Sequence, residues 1–384
     1  MLQTEPKSLL KIDPEIFKKV RNAASDRQLL GVATRKKLVE DLREYLCSML
    51  QAAIQLEHCT IPVYLTALYS LQRGSNPDVY KIIFSVVREE MLHMVIAANV
   101  LNAVGGSPVI NQPDFIPEYP GLLPKIDNVK VNLAPLSMDV VSNTLVQIEK
   151  PDKPIPYDPI LDSSFPKEQS FPTIGEFYQA IIDVLQKGGE SWIVGNPDFQ
   201  VVNAQWFPSD ELFAIKTVED AVNALKLIMQ QGEGTNISPE DQQRDYAHYY
   251  RFEQIIKGHY LCKNPKSPNG YSYTGATISL DQNKVWNLVK NSKAAYYKPG
   301  SVARRMVDEF NYSYTSLLNG LHKTFNGEPN YLNTVMGSMF ELKLQAERMV
   351  ERKITDADWA GDPSLIAGKD QYIAPSFEYA PIDR

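Results

Sequence analysis

Cysteine is scarce in this 384-residue chain: Cys47, Cys59 and Cys262 are widely spaced and odd in number. That pattern excludes a disulfide framework as the source of stability. No run approaches the ~20 apolar residues that a membrane-crossing helix requires. A net charge of −7 offers no basic surface for nucleic acid or an anionic membrane. Glycine fingerprints for dinucleotides and phosphates are missing, as is the Gly-x-Ser-x-Gly turn of a serine hydrolase. The opening MLQTEPKSLLKIDPEIF places acids and prolines where a secretory leader needs an apolar core, so the expected location is the cytoplasm. Neither an internal repeat nor a low-complexity segment is present. What remains is an ordinary soluble balance, 43% hydrophobic and 22% charged, with ample length for a core.

The informative stretch is Arg88-Glu89-Glu90-Met91-Leu92-His93-Met94, read together with Gln55-Leu56-Glu57-His58. Val79, Ile83, Val86, Ala97 and Leu101 recur at helical spacing, and Glu90 and His93 fall on the same face. Glu57 lies likewise on the stripe Leu42, Leu46, Met49, Ala53, Thr60 and Tyr64. A carboxylate on an apolar face costs several kcal/mol unless it is paired, protonated or bound to a metal. Residues three apart on a helix differ by about 60° of rotation, so Glu90 and His93 can reach one ion. A glutamate from an adjacent helix then completes half of a carboxylate site of the kind built in ferritin-like bundles. The competing interpretation is a buried Glu–His pair that only fixes helix register.

Helices are predicted over about 34–71 and 77–104, joined by Gly74-Ser75-Asn76-Pro77 and hence antiparallel neighbours. Pro62 predicts a kink one turn beyond Glu57, or else a break at Cys59-Thr60. Residues 107–172 carry twelve prolines, which rule out long helices and leave only a short helical piece near 137–149. Phe115, Tyr119, Leu122, Leu123 and Tyr157 suggest that this segment is an ordered cover over the bundle mouth. Further helices are predicted over about 173–187, 217–231 and 238–257, with a strand near 271–280. An amphipathic pair follows at about 302–325 and 331–352, without an inward Glu/His doublet, and then a polar, irregular tail over 354–384. The expected organisation is a lead-in (1–33), a metal-binding bundle (34–262, with 107–172 as its proline-rich cover) and a C-terminal loop and helical hairpin packed on the bundle (263–384).

The second half of the site is less sharply written. Glu176 lies in Thr173-x-x-Glu176, which is also a capping box. Glu233 follows a helix-ending glycine and reads equally as a turn residue. His248 shares a stripe with Phe252 and Ile255, and a single inward histidine is as readily a hydrogen-bonded core residue.

Five ordered motifs carry a family resemblance: Gln55-Leu56-Glu57-His58-Cys59-Thr60-Ile61-Pro62-Val63-Tyr64-Leu65, Arg88 to Met94, Thr173-Ile174-Gly175-Glu176-Phe177-Tyr178, Gln231-Gly232-Glu233-Gly234 and Ala247-His248-Tyr249-Tyr250-Arg251-Phe252. Together they resemble the ferritin-like family named after iminophenyl-pyruvate dimer synthase, related to a region of the violacein- and rebeccamycin-type imino-acid coupling enzymes. Phe325-Asn326-Gly327 and Ser376-Phe377-Glu378-Tyr379 extend the likeness toward the C-terminus. The resemblance implies an all-α, ferritin-like helical bundle. It also implies Glu176, Glu233 and His248 as second-half ligands beside Glu57, Glu90 and His93.

The expected function is that of a non-heme iron oxidase or oxygenase tailoring a small amino-acid-derived metabolite with dioxygen or peroxide. One or two iron ions are expected, with manganese as the other metal these ligands suit. Tyr64, Tyr178 and Tyr249 are candidates to support the ligands through hydrogen bonds. Two other readings stay open: an imino-acid coupling enzyme without metal redox chemistry, and a non-catalytic ferritin-like metal-binding protein. Neither nucleic acid nor membrane is an expected partner, and a homodimer is allowed for.

Overall fold

Apolar residues at three- and four-residue spacing build the two longest helices of the bundle. In the computed structural model, which describes residues 32–152, 171–234, 238–241, 243–366 and 370–380, α1 spans Val32–Tyr69 and α2 spans Pro77–Ala103. Leu46, Leu50, Ala53 and Ile54 of α1 and Val79, Ile83, Val86 and Ala97 of α2 are fully buried. Most of the lead-in and Tyr157 lie outside the described residues.

Pro62 does not break α1, so the break allowed for at Cys59-Thr60 does not occur. The prolyl ring denies the His58 carbonyl its helical donor and crowds that turn. An outside donor meets the next carbonyl: Tyr119 Oη donates to the Cys59 carbonyl at 2.7 Å. Tyr119 belongs to the proline-rich segment, where β1 (Gly121–Leu122) and β2 (Lys130–Val131) pair antiparallel. Phe115, Tyr119, Leu123, Ile126, Val131 and Leu133 from this segment are buried, whereas Leu122 is exposed. The segment ends in a short helix, α3, whose turns run Met138–Val140, Val141–Leu145 and Val146–Ile148. Its middle turn is wound as a π-helix, a local widening that is common near functional side chains.

The other two bundle helices are α4 (Ile174–Gly188) and α5 (Val218–Gly232). Thr173 caps α4 by accepting from the Glu176 amide, and Thr217 with Asp220 forms a reciprocal capping box on α5. α4 packs on α1 and α5, and α5 packs on α2, which closes the four-helix bundle.

The next helix differs from the expectation. α6 spans His248–Lys257 and not 238–257. Residues before it form a turn in which Ser238 Oγ accepts from the Glu240 amide, Glu240 bridges to Tyr246 and Arg244 has φ 69°. The run Glu-Asp-Gln-Gln-Arg-Asp has no apolar face to bury, so local side-chain-to-backbone bonds win over helix there. His248 is thereby placed in the first turn of α6.

Beyond α6, β3 (His259–Lys263) and β4 (Tyr271–Thr277) form an antiparallel pair, of which only the second is anticipated from sequence. α7 (Val302–Phe325) and α8 (Leu332–Val350) make a hairpin that packs against α1 and α2. The tail is irregular but not merely polar: Phe377 is buried edge-on to Phe310 and Tyr314, and Ser376 and Glu378 hydrogen-bond Asn311. No helix among the described residues is long and apolar enough to cross a membrane.

Candidate metal centre

Glu57 on α1 and Glu90 and His93 on α2 meet in the bundle interior. All three are buried, and one potential ligand atom from each lies within 4.8 Å of the others. His93 Nδ1 is 3.5 Å from Glu57 Oε2 and 3.9 Å from Glu90 Oε1. A second buried triad shares Glu90: Glu149, the residue that ends α3, and His248. His248 Nδ1 stands 2.9 Å from Glu90 Oε1 and 3.5 Å from Glu149 Oε2. The two imidazoles stack at 5.4 Å between centroids. One carboxylate between two Glu/His pairs is an arrangement that could bridge two cations.

Each histidine has its ring nitrogens in separate roles. His93 Nε2 donates to Gln231 Oε1 of α5 at 2.9 Å, and His248 Nε2 donates to Glu89 Oε2 at 3.0 Å. An amide or carboxylate oxygen can only accept, so each Nε2 carries a proton, and Nδ1 is the nitrogen that each ring turns toward the carboxylates. Glu89 is itself held by Arg251 Nη1 at 2.7 Å. Histidine ligands are routinely oriented by such partners.

The carboxylates are held as deliberately. Tyr178 Oη donates to Glu57 Oε1, Tyr64 Oη donates to Glu149 Oε1, and Thr60 Oγ1 donates to Glu90 Oε2 at 2.7 Å. Each terminal glutamate thus has one oxygen fixed by a tyrosine and the other turned inward. The bundle helices α4 and α5 therefore supply supporting groups, Tyr178 and Gln231, while the second Glu/His pair comes from α3 and α6.

Charge is poorly balanced in this space. Burial first, and then the neighbouring Glu149 charge, push Glu90 up to about 7. Burial alone would lower both histidines, but the surrounding carboxylates outweigh it, raising His93 and taking His248 well above its ordinary range. Glu89 also pays for burial, yet its bonds to His248 and Arg251 bring it down to about 2.

The donor set fits a divalent ion. Despite standing 2.9 Å from Glu90, His248 Nδ1 is not aligned for a hydrogen bond and has no hydrogen-bond partner. A buried ring nitrogen set between the Glu90 and Glu149 oxygens, and poorly aligned to donate to either, is placed as a ligand atom would be. Mixed carboxylate and imidazole donors suit iron or manganese.

Of the residues expected from sequence, Glu57, Glu90, His93 and His248 come together, with Tyr64 and Tyr178 supporting carboxylates. Glu176 is exposed on α4, where its amide takes part in the cap, and it joins neither triad. Glu233 turns instead to the start of α4, accepting from the Gly175 amide at 2.6 Å. Tyr249 packs edge-on to Tyr250 and faces Glu253, away from both triads. Glu149, Gln231 and Glu89 escaped the sequence reading. Glu149 had a signal: it lies four residues after Leu145 and eight after Val141, on the inward stripe of α3.

Comparison with known proteins agrees with this architecture. Residues 50–257 match the Ferritin-like family. No curated protein matches the sequence. Among solved structures, a ferritin like protein from Caulobacter vibrioides is similar with a TM-score of 0.53 and 24% identity, over 78% of this chain and 95% of that one. That likeness is one of fold.

Proposed function

The chain belongs to the ferritin-like family, and we propose that it is a non-heme iron oxidoreductase that tailors a small amino-acid-derived metabolite with dioxygen or peroxide. The observation that carries this reading is the shared Glu90. Glu57 and His93 would hold one ion, Glu149 and His248 the other, and Glu90 would serve both. In this reading Glu149 would serve where the sequence suggested Glu176 and Glu233. Iron at such a site supplies one-electron redox steps and open positions for oxygen.

The chain's own groups prepare the site. Gln231 and Glu89 keep the Nε2 protons in place, so that Nδ1 is the nitrogen each ring would offer to an ion. Thr60 holds one oxygen of Glu90 and leaves the other free to face both histidines. Tyr64 and Tyr178 carry protons at Oη next to Glu149 and Glu57, and burial keeps both phenols from ionising. The substrate class rests on the resemblance to the iminophenyl-pyruvate dimer synthase family.

Elemental analysis followed by oxygen uptake with candidate amino and imino acids tests this reading. Iron in the purified protein with substrate-dependent oxygen uptake is the expected result, and His93→Ala should lose most of the metal while keeping its helical circular dichroism. Turnover indifferent to chelation would point to coupling without metal redox chemistry. Metal without turnover of any candidate would point to a binding protein.

A further inference from the structure

A partly open cavity lies on a different face of α1 and α2 from the Glu/His centre. It has a volume of about 270 Å³ and opens between these helices and the α7–α8 hairpin. From α1 it is lined by His58, Ile61 and Leu65, each one residue past Glu57, Thr60 and Tyr64. One residue is about 100° of helix rotation, so the cavity faces away from the carboxylates. Met91 and Met94 of α2 stand in the same relation to Glu90 and His93.

Its lining is apolar with a few polar exceptions. Leu, Met and aromatic side chains from all four helices make the walls, and methionines such as Met336 and Met339 give them an adaptable surface. Phe84 and Phe340 line it while remaining 41% and 58% exposed, so they mark its mouth. Arg88 and Lys343 also line it, and no aspartate or glutamate does. No carboxylate among the described residues pairs with Arg88. Lys343 contacts Tyr80 Oη at 3.3 Å and Glu347 at 3.7 Å, the latter a solvent-facing pair of little strength. Deeper in, fully enclosed His58 spends Nε2 on Tyr314 Oη at 2.7 Å, and its Nδ1 has no hydrogen-bond partner.

We propose that this cavity binds a small organic anion with an apolar body, of the alkyl- or aryl-carboxylate class, at a site separate from the Glu/His centre. The body fills the space between the helix pairs, and the carboxylate meets Arg88 and Lys343, of which the guanidinium offers a paired donor geometry. Nothing in this assignment depends on the ions, so the two readings fail independently.

Calorimetric titration of the metal-free protein with decanoate and with decan-1-ol tests it, since without ions the Glu/His centre cannot coordinate the acid. Decanoate should bind with one molecule per chain and more tightly than the alcohol. Arg88→Met with Lys343→Met should cost decanoate roughly tenfold, the scale of one charge-assisted hydrogen bond, and leave the alcohol unchanged. Both substitutions are at the rim and leave the walls intact, so folding is preserved. Met339→Trp, which fills the space, should abolish both titrations with the helical circular dichroism unaltered. Equal affinity for acid and alcohol, decanoate binding indifferent to the rim substitutions, no heat from either ligand, or binding that appears only with dimerisation would each overturn the proposal.

Discussion

At the scale of single residues, the centre is defined as much by its supports as by its inward groups. Glu57, Glu90 and His93 are readable from sequence because polar residues interrupt an otherwise apolar helical stripe. Gln231 is not readable this way, since a buried amide at a helix end looks like any other C-terminal polar residue. Yet its side-chain oxygen is the acceptor that meets Nε2 of His93 and so helps to orient the ring. Gln231→Leu keeps the shape but removes the acceptor, so metal affinity should fall roughly 10–100-fold, with the fold intact. Competition against a chelator of known affinity measures this, and an unchanged affinity would show that the bond to His93 is incidental.

Among elements, α1 and α2 were legible nearly to their ends because their periodicity is long and uninterrupted. α6 was not: Ser238-Pro239 looks like a helix start, but the charged run behind it has no apolar face and folds into a turn. α3 was expected as a short helix, yet its role was hidden, because a π-wound turn ending in a single glutamate has no doublet to flag it. Glu176 and Glu233 lie outside both triads for local reasons: Glu176 sits on the exposed face of the first turn of α4, and the Glu233 carboxylate accepts from the Gly175 amide. At Pro62 the turn is met by Tyr119. Tyr119→Phe should destabilise the protein by about 1 kcal/mol, seen as a lower denaturant midpoint, without loss of metal. A midpoint equal to that of the unsubstituted protein would mean that the bond to Cys59 contributes nothing net.

For the whole molecule, several phenols are buried in the folded state. Tyr119 and Tyr314 are raised well above the ordinary tyrosine range, chiefly by burial, and Tyr297 is pushed up to about 12. A phenol that stays protonated when folded but ionises near 10 when unfolded makes the unfolded chain lose protons first. Its contribution is complete below pH 10 and disappears as pH rises toward 12, at up to about 1.4 kcal/mol per unit for each such group. Stability should therefore fall steeply above pH 10, and Tyr297→Phe should flatten that fall. Parallel curves for the two proteins would remove Tyr297 as a source. The architecture at this scale was visible in the sequence as helix count, loop length and apolar stripes. The packing of α7 and α8 alongside the ligand-bearing helices was expected too, since their stripes hold no inward Glu/His doublet. The insertion of Phe377 between Phe310 and Tyr314 was not, because it depends on contacts distant along the chain.

The most direct test is an anomalous difference map at the iron edge, from crystals grown with ferrous iron. Two peaks flanking the Glu90 carboxylate are predicted, one beside Glu57 and His93 and the other beside Glu149 and His248. A map without density at Glu90, or with its peak at Glu233 or Glu176, would contradict the account.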